Sequence, residues 1–230
     1  MTGNYELVVW DFDGTLADTR TAILAAADHA MASHGYPAPG ADEVSALVGL
    51  PIRELYTRLA GDPGEQVLAA LAEAHRTHFE SNAAAVTTTF SGIEELLVDL
   101  RSAGCRSAVA TSRTRRTLGP LMEHLELGHH FAALRTDDSV ANPKPAPDMM
   151  LELCAELGVA AGDTILVGDT AFDVKVVPGV YDLLYRRDWQ RDYDSVWTSD
   201  ASEVVPNGMR VLRNDLVLGA GENVLDIDVE

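Results

Sequence analysis

Near the N-terminus an apolar run, LVVW at positions 7–10, stops abruptly at an aspartate. A run this short, with no polar alternation, is the pattern of a strand buried on both faces. The alanine-rich stretch TRTAILAAADHAMASH at 19–34 then reads as a helix that Gly35 stops. Beyond the loop YPAPGA, the segments DEVSALVG, PIRELYTRLAG and GEQVLAALAEAHRTHFESN read as three further helices, punctuated by Gly and Pro. From about 19 to 83 no segment has the pattern of a strand.

After AAAVTTTFSG the pattern changes to alternation. GIEELLVDLRSAG predicts a helix ending at Gly104, CRSAVATS a strand, and RTRRTLGPLMEHLELG a helix with a break or boundary at Pro120. FAALRT predicts a short strand, APDMMLELCAELG a helix, DTILVGD a strand, and YDLLYRR at 181–187 a final strand. Strands alternating with helices build βαβ units on a mostly parallel sheet. The expected fold class is therefore α/β, a Rossmann-like core. One strand, then an all-helical block, then the alternating remainder indicates an insertion. Residues 1–18 and 84–230 form the predicted core, and 19–83 a small helical cap hung on the loop after the first strand.

Charge narrows the partners. The 230-residue chain has 17 basic and 36 acidic residues, a formal charge of −19. Such a field repels nucleic acid and anionic membrane, and neither is expected as a partner. No run of eighteen apolar residues and no basic-then-apolar leader is visible, so the expectation is a soluble cytoplasmic protein, monomeric or homodimeric. Cys105 and Cys154 both sit in apolar stretches and read as reduced, buried thiols.

The chemistry concentrates where strands end. In open α/β sheets, ligands bind beyond the carboxyl ends of the strands. The first strand ends in Asp11-Phe12-Asp13-Gly14-Thr15, the second in Thr111-Ser112, and a later one in Asp169, with Asp173 four residues on. Between the last two, Asn142-Pro143-Lys144-Pro145 precedes a helix. A carboxylate at a strand tip is a fixed, partly desolvated nucleophile, able to attack phosphorus. Carboxylate and phosphate repel each other, so a cation is needed between them, and Mg²⁺ favours one or two carboxylates, water and a phosphate oxygen. Asp11 and Asp169 suit that need. Thr111 can hydrogen-bond a phosphoryl oxygen, and Lys144 can neutralise charge developing in transfer. Asp13, two residues after Asp11, falls on the same side of an extended segment and can serve as acid and base. Simpler structural roles stand beside these: turn formers after a strand for DFDG, a helix N-cap for Thr111, and a charged helix start for Asp169 and Asp173.

DFDGTLADT, the strand-end Thr111, Lys144 within NPKPAPD and GDTAFD at 168–173 resemble, in order and spacing, the four motifs of the haloacid dehalogenase-like hydrolase superfamily. The nearest branch is the phosphoglycolate phosphatase and β-phosphoglucomutase group, and the resemblance covers roughly residues 5–175. It implies Asp11 as nucleophile and Mg²⁺ ligand, and Asp13 as general acid/base that ligates through its carbonyl. It further implies Thr111, Ser112 and Lys144 as the phosphoryl-binding set, Asp169 as a metal ligand, and Asp173 as ligand or support. The dehalogenases of the superfamily lack the second aspartate, so the resemblance favours phosphate chemistry on a small phosphorylated metabolite. Phosphosugar mutase activity and a non-catalytic binding role on the same fold are the alternatives.

Gly49-Leu50-Pro51-Ile52-Arg53 is similar to the cap loop facing the active site in phosphoglycolate phosphatases, which makes Arg53 a candidate for a substrate carboxylate or phosphate and equally a surface arginine. His75 and His78, three apart on a helix with no third ligand, read as a solvated face. Arg113, Arg115 and Arg116 read as a solvated basic helix start, with phosphate attraction as the alternative. His129-His130 reads as a loop. Pro178-Gly179 should end early the helix that follows GDTAFD, and residues 188–230 carry no recognisable motif.

Overall fold

The structure, a computed structural model, describes residues 5–169, 173, 182–186 and 196–197. Its centre is a six-stranded sheet of β1 (Leu7–Trp10), β4 (Arg106–Ala110), β5 (Phe131–Arg135), β6 (Thr164–Gly168), β7 (Asp182–Arg186) and β8 (Val196–Trp197). The spatial order is β5-β4-β1-β6-β7-β8, and every neighbouring pair is parallel except β7 with β8. The chain leaves β1 toward β4 and β5, then returns to place β6 on the other side of β1. That reversal opens a crevice beyond the carboxyl end of β1.

The sheet is covered on both faces, which is why β1 reads as a continuous apolar run. Val8 and Trp10 point into one cluster with Val109, Ile165, Leu118 and Leu121; Leu7 and Val9 point into another with Ala108, Leu166, Met149 and Leu153. The alternation follows the two-residue period of a strand. The first cluster is closed by α5 (Ile93–Ser102) and α6 (Arg115–His124), the second by α7 (Asp148–Leu157).

Between β1 and β4 the chain forms α1 (Arg20–Ser33), α2 (Ala41–Ser45), α3 (Ile52–Ala60) and α4 (Glu65–Asn82). These helices have a cluster of their own, built from Ala30, Met31, Leu55, Tyr56, Leu68 and Leu71. They are also seated on the core, because Ile23, Ala26, Val48 and Phe79 belong to the cluster that contains Trp10 and Leu118. Where the chain enters and leaves the block, β2 (Ala17–Asp18) pairs antiparallel with β3 (Thr88–Thr89). This ribbon is absent from the sequence reading, since two-residue strands carry no periodicity.

Pro120 does not break its helix. It lies inside α6 and is exposed beside Gly119, so the Arg116 carbonyl left without its helical donor faces water. His129 and His130 form a short 3₁₀ turn rather than an open loop, and His130 is buried. Cys105 and Cys154 are free thiols, half-buried and buried respectively. The strand expected at 181–187 is present as β7, whereas the helix end at Pro178-Gly179 and the tail 198–230 lie outside the described residues. No helix among the described residues is long and apolar enough to cross a membrane.

Leu121 is 2% exposed at the contact of α6 with the sheet. Leu121→Ala should lower the unfolding free energy by about 2–5 kcal/mol in urea denaturation; a loss under about 1 kcal/mol would show that α6 is not docked there.

Candidate active site

Register brings the strand ends to one level. Trp10 is paired with Val109 on one side and Val167 on the other, so Asp11, Thr111 and Asp169 emerge together just past the hydrogen-bonded ladder. The Asp11 amide still donates to the Val167 carbonyl at 2.8 Å, which fixes where its side chain starts. The chain then turns sharply: the amides of Leu16 and Ala17 both return to the Phe12 carbonyl, and Gly14 takes a φ of +75° that a side chain would oppose.

Lys144 binds the set together. Its ammonium, 3% exposed, donates to Asp11 Oδ1 at 2.7 Å and to Asp173 Oδ1 at 2.6 Å. Asp11, Asp169 and Asp173, all buried, bring carboxylate oxygens within 4.8 Å of one another. Thr15 Oγ1 lies 3.4 Å from Asp169 Oδ1. Gly168 is required by this packing. A Cβ there would stand 2.4 Å from Asp173 Cγ, in space the carboxylate occupies.

The electrostatics are unbalanced in a specific way. Among the described residues, three buried carboxylates lie around one buried ammonium. Burial raises the Asp11 carboxyl, Lys144 opposes, and Asp173 and Asp13 add to the rise, pushing it up to about 7. Burial works against the charge of Lys144, but Asp11 and Asp173 outweigh it and hold the ammonium above its ordinary range. The cluster has the oxygen donors and the excess negative charge that suit a hard divalent cation, so the residues present fit one.

Asp13 takes a different environment. Its carboxylate is held away from the cluster by Arg113, whose Nε and a terminal nitrogen lie 2.9 and 2.6 Å from Oδ1, and by Thr19 Oγ1 at 2.5 Å. Thr111 is buried, and its Oγ1 accepts the Arg113 amide at 3.2 Å; the cap of α6 is Thr114 instead. Ser112 donates to the Gly49 carbonyl at 2.8 Å, so its hydroxyl ties the core to the helical block.

A cavity lies between the strand ends and the helical block. Asp11, Asp13, Thr111 and Arg113 form its floor, and Val48, Leu50, Ile52 and Leu55 an apolar wall. Arg53 is not part of it. Its guanidinium pairs with Glu65 on the exposed side of α3, while Ile52 faces inward. Arg76 lines the cavity instead, together with His75.

His75 corrects the expectation of a solvated face. It continues the buried stripe Leu68, Leu71, Ala72, Phe79 of α4 and hydrogen-bonds the Tyr56 hydroxyl through Nδ1 at 2.8 Å. Burial first, then the charges of Arg113, Arg76 and His78, push its pKa down to about 3, so the ring is neutral. His78 stacks on His29 with centroids 4.6 Å apart. Arg113 is also not solvated. It is 9% exposed and lies 3.9 Å over the Phe79 ring, whereas Arg116 reaches Glu73 and Glu80 across the surface. The i, i+3, i+4 spacing of Leu68, Leu71, Ala72, His75 and Phe79 could have marked His75 as core-facing; nothing local paired Asp13 with Arg113, 100 residues away, or with Thr19, six residues on.

Two outcomes test this geometry. Gly168→Ala should displace Asp173 and weaken a Mg²⁺-induced rise in unfolding midpoint by about tenfold or more in cation concentration; an unchanged titration would contradict the packing. Asp11 titrates higher folded than unfolded, so the cation-free protein binds more protons folded than unfolded between roughly pH 4 and 7. Asp11 therefore makes folding less favourable as pH rises through that window. In EDTA, Asp11→Asn should be more stable than wild type at about pH 8, by on the order of 1–3 kcal/mol, with the gap closing toward about pH 5. A gap independent of pH would contradict the buried charge.

Residues 8–177 match the family model for haloacid dehalogenase-like hydrolases. The chain is 31% identical over 170 residues to tyrosine-protein kinase PtkA of Mycobacterium tuberculosis, covering 74% of this chain and 57% of that protein. It is 32% identical over 175 residues to phosphoglycolate phosphatase 1 of Pseudomonas aeruginosa, covering 73% and 64%. The match thus spans less than two thirds of the length of either relative. Among solved structures, a haloacid dehalogenase-like hydrolase from Bacteroides fragilis superposes with a TM-score of 0.74 at 19% identity, over 90% of this chain and 98% of that one. With the parallel sheet, the carboxylates at its strand ends and the buried lysine already in place, these matches show that the chain belongs to the haloacid dehalogenase-like hydrolase family.

Proposed function

We propose that the protein is a Mg²⁺-dependent phosphomonoesterase acting on a small phosphorylated metabolite of the phosphoglycolate kind, with residues 19–83 as the cap that covers the substrate. The observation that carries this reading is the buried cluster of Asp11, Asp169 and Asp173 around Lys144, with Asp11 reaching the floor of a cavity that Asp13 and Thr111 also line.

Asp11, Asp169 and Asp173 would hold the cation, with the Asp13 backbone carbonyl as the remaining protein donor. Bound there, Mg²⁺ would offset the repulsion between the carboxylates and a phosphate dianion. Asp11 attacks phosphorus through a carboxylate oxygen, the bond from phosphorus to the ester oxygen breaks, and Asp13 gives its proton to the departing alkoxide. Water then attacks the aspartyl-phosphate while Asp13 takes back a proton, and phosphate leaves. Thr111 and Lys144 hold phosphoryl oxygens through both steps. The hydroxyl of Ser112, bonded to Gly49, serves more readily to seat the cap, leaving the backbone of this turn for phosphate.

One wall, of Val48, Leu50, Ile52 and Leu55, is apolar, and Arg76, near Asp137, offers a cation for a second anionic group such as a carboxylate. That favours a compact phosphorylated acid over a phosphosugar, and hydrolysis over a mutase reaction. PtkA is named as a tyrosine-protein kinase, an activity that also transfers a phosphoryl group.

Phosphate release should be measured on phosphoglycolate and a panel of sugar phosphates, with Mg²⁺ and with EDTA. The reading predicts turnover with Mg²⁺ only, highest on the phosphorylated acid, and a loss of at least about 10³-fold in Asp11→Asn with the fold retained. Isomerised sugar phosphate with little free phosphate would replace this reading by the mutase; full activity in Asp11→Asn would remove the mechanism.

A further inference from the structure

The described hydrogen bonds to the Asp13 carboxylate all end on one oxygen. Arg113 Nε at 2.9 Å, its terminal nitrogen at 2.6 Å and Thr19 Oγ1 at 2.5 Å converge on Oδ1. A carboxylate loaded this way on one oxygen presents the other to the cavity that Asp13 lines. The Arg113 side chain is 8% exposed and that of Asp13 15%, so the pair is desolvated far more than a surface ion pair.

Arg113 is itself held from the opposite direction. Its guanidinium carbon lies 3.9 Å over the ring of Phe79, which is 1% exposed and belongs to α4 of the helical block. The neutral ring of His75 stands nearly parallel to that of Phe79, at 5° with centroids 6.2 Å apart. Arg113 therefore bridges two bodies: the turn after β4, where it starts, and α4, against which its face stacks. Displacement of the helical block would strip the guanidinium of its stacking partner while it holds Asp13.

We propose that Arg113 is the positioning residue for the acid/base: it pins Oδ1 of Asp13 so that Oδ2 meets the leaving oxygen, and its stacking on Phe79 makes that alignment conditional on a seated cap. This rests on the phosphatase reading above and adds to it how the proton donor is aimed. Proton donation matters most when the leaving alkoxide is poor. An alkyl ester needs it, whereas p-nitrophenolate departs well without it. Loss of aim is thereby separable from loss of phosphate binding or of structure, either of which would affect both esters alike.

The test is kcat/KM, which ends at departure of the leaving group and leaves out the hydrolysis common to both esters, for phosphoglycolate and for p-nitrophenyl phosphate, with Mg²⁺, in wild type, Arg113→Lys, Arg113→Met and Phe79→Leu. Arg113→Met should lose about 10²-fold in kcat/KM on the alkyl ester and less than about 5-fold on the aryl ester. Arg113→Lys, which keeps the charge but not the forked, stacked geometry, should fall between, and Phe79→Leu should show the same selectivity more weakly. Where Arg113→Met fails to fold, Arg113→Lys and Phe79→Leu carry the comparison. Equal losses in kcat/KM on both esters overturn the proposal while leaving the phosphatase standing. A wild-type protein that turns over neither ester overturns the phosphatase reading, and this one with it.

Discussion

Burying charge is costly, and the core of this molecule is arranged around one place where it is done deliberately. Lys144 sits 2.7 Å from Asp11 and 2.6 Å from Asp173, and Asp169 completes a set of three carboxylates with oxygens inside 4.8 Å. An apolar replacement of such a cluster would in general be no less stable, so its retention points to chemistry rather than to stability. Among the described residues the set has one ammonium for three carboxylates, and that deficit of positive charge is what a divalent cation and then a phosphate would exploit.

The fold exists to hold that deficit in place. Parallel strands of matched register deliver Asp11, Thr111 and Asp169 to the same height, and the absence of a side chain at Gly168 leaves room for Asp173. The helical block gives the cavity an apolar wall, and its apolar seating on the core is joined by polar contacts at the site itself. Ser112 reaches Gly49, and Arg113 stacks on Phe79. The two carboxylates of DFDG thereby acquire different surroundings only two residues apart. Asp11 is committed to the buried cluster, and Asp13 to a guanidinium and a hydroxyl at the cavity edge.

Much of this was legible in the sequence, for physical reasons. LVVW and TILVG are buried on both faces and read as uninterrupted apolar runs; the strand ends fall where those runs stop, so Asp11 and Asp169 could be placed before any coordinates. Helices long enough to show a stripe were also readable, and the stripe in α4 even contained His75, whose polarity argued misleadingly for solvent. What could not be read were features without periodicity or local signature. The two-residue ribbon of β2 and β3 has none. Pro120 looked like a breaker because its exposed position on α6 is a tertiary fact. Whether Arg53 or Arg76 borders the cavity depends on which side of its helix faces inward, and Arg113 finds Asp13 across 100 residues of chain.

The most direct test of the central claim is calorimetric titration of Mg²⁺ into the cation-free protein near neutral pH, repeated in buffers of different ionisation enthalpy. A buried set short of one cation, with Asp11 holding a proton to about 7, should bind a single Mg²⁺ and release protons as it does so. Binding should vanish in Asp169→Ala. Absence of Mg²⁺ binding in wild type, or binding indifferent to the loss of Asp169, would contradict the account.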